Sequence, residues 1–253
     1  MKKFIYLLAM VCSMSFLASC GDDDDNEGSG AKRLQAIEGT WKVWQEGDEW
    51  TGYNGSAIIT WEIDDDAAIS IPLEDTPLSL KINETVTPLV NTMANKFLPN
   101  VLQSVTFTPD GKINAVYSDD DDDDDVVEWE EANGYASYTV VNDNLLAVTL
   151  NADKVTEDIE DAALKAQVKT ILKQFGSIPV NIRWNGANPY FFVDKAFVQP
   201  MIATMVGILS KVPTGDMDEE DLKSFLMLKG VLDQLPDLMD KTTKFEVGLE
   251  LRK

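Results

Sequence analysis

Four stretches of this chain alternate apolar and polar residues with a period of two, and that pattern restricts the fold more than any other feature. Ile59, Trp61 and Ile63 alternate with Thr60 and Glu62. Val105 and Phe107 alternate with Thr106 and Thr108. Ile178, Val180, Ile182 and Trp184 alternate with Pro179, Asn181 and Arg183. Phe245, Val247, Leu249 and Leu251 alternate with Glu246, Gly248, Glu250 and Arg252. Successive side chains of a strand point to opposite faces. Such alternation therefore implies one packed and one wet face, which favours antiparallel sheet. Turn chemistry lies between neighbours, at Pro109-Asp110-Gly111, Asn142-Asp143-Asn144 and Asn185-Gly186-Ala187-Asn188.

Helical periodicity interrupts the strands in four places. The first stretch, Glu84 to Leu102, has Asn83 placed as its N-cap. The second, Glu157 to Phe175, puts Ile159, Ala163, Ala166, Ile171 and Phe175 near one face, with Gly176 at the C′ position. Ala196 to Val212 is apolar on most sides. Asp218 to Leu235 opens with acids, as a helix N-terminus prefers, and carries Leu222, Phe225, Leu226, Val231 and Leu232. Twice a helix leads into a hairpin, at Leu89–Asn100 before Ser104–Tyr117 and at Ala163–Phe175 before Ile178–Val193. Shared hairpin chemistry explains this as well as duplication does. The expected fold is α+β: a curved antiparallel sheet or partial barrel built from hairpins, with about four helices covering its open face. A sheet of many strands must curl or be capped.

Charge and the absence of two residue types narrow the chemistry. Acids outnumber bases 44 to 21, for a formal charge of −23. Such a surface repels nucleic acid, so no nucleic-acid partner is expected. There is no histidine, and both cysteines, Cys12 and Cys20, fall in the first twenty residues. Beyond them no disulfide, no zinc site built on Cys or His and no histidine-activated nucleophile can form. The chain also lacks the G-x-S-x-G, phosphate-loop and H-E-x-x-H patterns. Catalysis by carboxylates alone stays open, but no spacing singles out a pair among Glu62, Glu128, Glu130 and the other acids. No catalytic residue, metal ligand or cofactor is assigned.

The first twenty residues read as an export signal. Lys2 and Lys3 precede an apolar run, Phe4 to Phe16, too short for a spanning helix. Leu17-Ala18-Ser19-Cys20 follows, and it resembles the lipobox of bacterial lipoproteins. That resemblance implies cleavage after residue 19, lipidation of Cys20 and a membrane partner reached through the lipid anchor; two or more acyl chains hold a bilayer stably. The stretch Gly21 to Gly30, rich in Asp and Gly, is expected to act as a flexible tether over residues 20–31. No long linker divides residues 32–253, which read as a single domain. Acidic residues directly after the lipidated Cys resemble the surface-export signal of Bacteroidota-type lipoproteins, implying an outer-membrane, cell-surface location. A merely solvated linker in a periplasm-facing protein is the alternative.

Three further features bear on binding. Asp119 to Asp125 is an unbroken run of aspartates. It lacks the spacing and turn glycine of a calcium loop, so a solvated hairpin tip is the better reading. Four of the six tryptophans cluster as Trp41, Trp44, Trp50 and Trp61. Trp44, Trp50 and Trp61 are candidates to stack on a ligand; core packing is the alternative. Met93, Met201, Met205, Met217, Met227 and Met239 lie in or beside the helices, where methionine fills cores and sometimes lines adaptable apolar pockets.

Residues Leu34 to Trp44 resemble the opening of lipocalin-like domains, in which a short helical turn leads into G-x-W on the first strand, here Gly39-Thr40-Trp41. The resemblance implies that Trp41 closes the base of an antiparallel sheet able to hold an apolar ligand. In that family an arginine packs on the tryptophan; this chain has no clear counterpart, because its late arginine, Arg252, falls in a strand. The lipobox, acidic tether, G-T-W start and helix–hairpin pattern together resemble uncharacterised Bacteroidota surface lipoproteins. Three functions are in play: a non-catalytic binding module for a glycan or apolar ligand, an assembly lipoprotein that binds another envelope protein, and a carboxylate-dependent hydrolase.

Overall fold

The computed structural model describes residues 37–71, 77–118, 128–157, 159, 162–209 and 219–253. The expected signal and tether, Cys20 and the aspartate run at 119–125 lie outside them. The architecture is mixed α+β around one large antiparallel sheet of nine strands, which does not close into a barrel. Its strands are β1 (Gly39–Lys42), β7 (Leu102–Phe107), β8 (Lys112–Tyr117), β9 (Glu130–Asn142), β10 (Leu145–Leu150), β11 (Ser177–Asn185), β12 (Asn188–Asp194), β13 (Lys244–Glu250) and β4 (Ala57–Glu62), in that spatial order. Two hairpins form separate two-stranded sheets: β2 (Gln45–Asp48) with β3 (Gly52–Gly55), and β5 (Ala68–Ile71) with β6 (Leu78–Lys81). All three turns expected from sequence join sheet neighbours, at β7–β8, β9–β10 and β11–β12. Beyond β13 an isolated bridge joins Arg252 to Lys42 of β1 through backbone hydrogen bonds of 2.6 and 3.0 Å.

The four long helices fall where their periodicity places them. They are α1 (Thr87–Val101), α3 (Ala162–Phe175), α4 (Lys195–Leu209) and α5 (Glu219–Leu232). Two short ones, α2 (Ala152–Val155) and α6 (Leu235–Lys241), were not expected. Residues 152–155 form their own turn because the Asn151 side chain accepts from the Asp153 and Lys154 amides and starts a helix there. Among the described side chains of α3, Val168 and Leu172 are buried, Ile171 is half-buried and Ala166 faces out. Gly176 ends α3 at φ 60°, the left-handed conformation that glycine adopts at little cost. Asn83 is not an N-cap. A π-helical turn, Ile82–Val86, precedes α1, and Asn83 sits inside it.

The helix α1 is joined to β4 by its amides. Asn91 Oδ1 accepts from the Ile59 N–H, and Asn91 Nδ2 donates to the Ile59 carbonyl, both at 2.8 Å. Asn95 repeats the pair on Ala57, again at 2.8 Å each way. Asn83 Nδ2 donates to the Ile63 carbonyl at 2.8 Å. Four residues of helix advance about 6 Å and two of strand about 6.6 Å, so rungs four apart on the helix meet positions two apart on the strand. Thr87 holds the place opposite Trp61, and its hydroxyl is buried without a partner.

Compact packing divides the described residues into two units, 37–58 with 93–193 and 247–253, and 59–92 with 194–246. In the first, Trp41, Leu146, Val148 and Val193 are almost wholly buried. Phe107 stacks on Phe191 at 4.9 Å and meets Tyr138 edge-on at 5.5 Å. Each such side chain taken from water is worth about 1.5–3 kcal/mol. In the second, Ile63, Ile69, Ile82 and Leu238 form a core that Trp61, Val86, Val231 and Leu235 pack against. Met201 and Met239 are core residues, whereas Met93 is exposed. The alternation in β13 misleads. Glu246 and Gly248, on the face expected to be wet, are buried. At Gly248 a Cβ would stand 2.0 Å from the Phe191 carbonyl oxygen, so only glycine fits there.

Candidate functional site

The three tryptophans singled out from sequence take up three different environments. Trp44 is half-buried. Its Nε1 donates to the Glu250 carbonyl at 3.1 Å, and the Arg252 guanidinium lies 3.4 Å from its ring centroid, so one face of the indole is already covered. Arg252 also pairs with Glu46 at 3.2 Å. The late arginine thus sits on Trp44, while Lys253 lies 4.8 Å from the Trp41 ring.

Trp50 is 95% exposed at the tip of the β2–β3 hairpin. The tip is nevertheless well ordered by its own hydrogen bonds. Asp48 Oδ1 accepts from the Trp50 amide at 2.9 Å, from the Thr51 amide at 2.8 Å and from the Thr51 hydroxyl at 2.9 Å. The Thr51 amide, its hydroxyl and the Trp50 amide, in that order, hold the Asp48 carboxyl below its usual range, because each favours the charged form. Gly47, at φ 97°, lies so near the Gly52 carbonyl that a Cβ would come within 2.1 Å of it. The hairpin leans on α1: Lys96 bonds Glu49 at 3.3 Å and lies 6.0 Å from the Tyr53 ring.

Trp61 donates through Nε1 to the Thr242 hydroxyl at 2.8 Å and meets Phe245 edge-on at 5.2 Å. It also borders a cleft of about 360 Å³ with Glu62, Ile63, Asp64, Asn83, Thr87 and Thr243. Among the described residues, no three acidic side chains gather where they would hold a metal.

The larger cleft, about 630 Å³, lies at the ends of the β9–β10 and β11–β12 hairpins. Asn144, Asn181, Ile182, Arg183, Trp184, Gly186 and Phe192 border it. The register explains the grouping. Asn181 pairs with Phe192 and Arg183 with Tyr190, so these four share one sheet face. Leu145 pairs with Asn181, which brings Asn144 of the adjoining turn alongside; the Asn144 carbonyl accepts from the Ile182 amide at 2.7 Å. Tyr190 and Phe192 stack at 4.9 Å with their planes 12° apart, and the Arg183 guanidinium lies 4.7 Å from the Phe192 centroid and 5.8 Å from that of Tyr190. Trp184 belongs to the other face, edge-on to Trp41 at 6.2 Å, and borders the cleft from the turn end. Sequence reading placed these residues on a hairpin but did not single them out, because strand alternation separates Arg183 from Trp184 and nothing in the order of residues marks a cleft.

One further surface stands out. Leu89, Val90, Met93, Phe97 and Val101 on α1 are exposed, Phe97 by 55%. Most of them lie two positions from the asparagine rungs, roughly 200° around the helix. This helix therefore turns its amides to the protein and its apolar stripe to solvent. Among the described residues, no helix is long and apolar enough to cross a membrane. The chain matches no protein-family model, no curated protein and no solved structure.

Proposed function

We propose that this protein is a lipid-anchored, cell-surface lipoprotein of the outer membrane whose folded part is a non-catalytic binding module for a glycan. The observation that carries the ligand class is the larger cleft, where two asparagine amides, a guanidinium and an indole converge on one open recess. Amides and guanidinium match the hydroxyl-rich edges of a sugar, and 630 Å³ lies within the range of small-ligand sites. A sugar suits the molecule better than an apolar ligand, because Trp41, Leu146, Val148 and Val193 already fill the interior face of the sheet. Titration calorimetry with a panel of oligosaccharides tests this. Binding should be measurable with the intact domain and lost in an Asn144→Ala, Asn181→Ala double variant of unchanged melting temperature. Equal binding by the variant removes the cleft from the reading. The anchor rests on Leu17-Ala18-Ser19-Cys20. Mass spectrometry of the mature N-terminus should find an acylated Cys20, absent in Cys20→Ala.

A second reading, an assembly lipoprotein that docks on another envelope protein, draws support from the apolar stripe of α1. Contiguous exposed apolar surface on a folded protein commonly marks an interaction site. Phe97→Glu with Met93→Glu should then weaken co-purification of envelope partners from crosslinked cells without altering oligosaccharide binding.

A further inference from the structure

We infer that the exposed apolar stripe of α1, with the Trp50 tip beside it, lies against the lipid bilayer that carries the protein, in the boundary between headgroups and acyl chains; this rests on the anchor reading. The stripe is not free to turn inward. Asn91 and Asn95 hold the other side of α1 on β4, so Met93, Phe97 and Val101 stay in solvent, and Leu89 and Val90 continue the row toward the helix N-terminus. The β2–β3 hairpin adjoins the same helix. Gln45 Nε2 donates to the Asn95 carbonyl, Lys96 bonds Glu49 at 3.3 Å, and Trp50 follows Glu49 directly. Of the eleven large apolar side chains exposed among the described residues, five are on this one helix, and Trp50 is the most exposed of all.

Charge and chain length favour lipid as the occupant. The chain carries 44 acids, yet none lies between Glu84 and Asp110, a stretch that contains α1 and a single cation, Lys96. The acids of the hairpin are engaged: Glu49 on Lys96, Glu46 on Arg252 and Asp48 within its own turn. An acid-free apolar face meets neither repulsion from lipid phosphates nor the cost of taking a carboxylate out of water. Tryptophan suits a boundary that is apolar on one side and wet on the other, and lysine lays its stem on apolar surface while its ammonium stays in water. Ile37 lies 17 residues beyond Cys20, so even a fully extended connection keeps it within about 60 Å of the acylated residue. Held that close, a patch too small to capture a membrane from solution meets one as an intramolecular partner, at an effective concentration near the millimolar range.

The test uses the mature acylated protein in phosphatidylcholine vesicles. No cysteine follows Cys20, so a fluorophore can be placed at one introduced thiol at a time. Met93→Cys and Phe97→Cys report on the stripe, and Lys173→Cys, an exposed position on α3, is the reference. Brominated acyl chains should quench the labels at 93 and 97 severalfold more than the label at 173, since an interfacial helix sinks about 5–10 Å into the headgroup–acyl boundary. The difference should persist in about 0.5 M sodium chloride, where screening would weaken a contact made by charge. Leu89→Glu with Val101→Glu should abolish it. Equal quenching at all three positions, or none at 93 and 97 on vesicle-bound protein, overturns the docking and leaves the anchor standing. Protein that does not float with the vesicles takes the anchor and the docking down together. Labels at 93 and 97 that escape quenching in vesicles, yet are shielded from an aqueous quencher in native outer membranes, would give the stripe to a protein partner instead.

Discussion

Trp41 and Trp50 stand nine residues apart in the sequence and are treated in opposite ways by the fold. Trp41 is 1% exposed: its Nε1 donates to the Ile37 carbonyl at 2.6 Å, Trp184 meets it edge-on and Lys253 lies over its ring. Trp50 has the same large apolar side chain and is almost wholly in water, while its backbone is pinned by Asp48. The comparison separates two properties often run together. Burial requires partners for the side chain. Order requires only hydrogen bonds for the main chain, and a turn can supply those without packing anything.

Several substitutions can break or sharpen that contrast. Trp41→Ala should cost about 3–5 kcal/mol, the usual range for emptying a buried aromatic site, read by urea denaturation with an unchanged m-value. Asn95→Ala probes burial of a different kind, since it strands the Ala57 N–H and carbonyl. Each buried polar group left unpaired costs roughly 1–3 kcal/mol, and Asn95→Asp should not recover the loss, because it would bury a carboxylate oxygen against the Ala57 carbonyl. Trp44→Ala forfeits one hydrogen bond and the Arg252 stack, worth about 1–2 kcal/mol together. Should Trp44→Ala prove more harmful than Trp41→Ala, the assignment of Trp41 to the base of the sheet is wrong. Trp50→Ala should alter stability by no more than about 0.5 kcal/mol.

The smallest effect concerns pH at the Trp50 tip. Asp48 is held below its ordinary value in the folded protein, so its hydrogen bonds favour the fold above the unfolded carboxyl pKa and are lost as pH falls through the lower folded one. Carboxyl chemical shifts should show Asp48 titrating below 3.8, with the Trp50 and Thr51 amide resonances moving in step. A normal titration midpoint would mean that the tip is not organised by this carboxylate.

Much of the sheet was legible in sequence, because hairpins are local: alternation sets the strands, and Pro109-Asp110-Gly111 or Asn185–Asn188 sets the turns between them. The long helices were legible for a similar reason. What failed were inferences that depend on a distant neighbour. Gly248 looks like part of a wet face, but its burial against Phe191 and Phe192 is decided by β12, not by β13. Asn83 has the composition of a cap, yet the Ile63 carbonyl claims it. Thr87, Asn91 and Asn95, which continue the four-residue spacing from Asn83, were not singled out from sequence, since no strand partner adjoins them there. The cleft is the extreme case: its borders come from two hairpins, and only their register brings Asn144 beside Asn181.

The asparagine rungs on α1 have a consequence for the protein at high concentration. β4 ends the spatial order of the nine strands, and the outward N–H and C=O groups of such a strand are a template on which another chain can grow. At Ala57 and Ile59 those groups are occupied by side-chain amides from within the same chain. At these two positions β4 has no outward backbone group left for a further strand. An Asn91→Ala, Asn95→Ala protein that still folds should be the one that forms thioflavin-positive aggregates on storage.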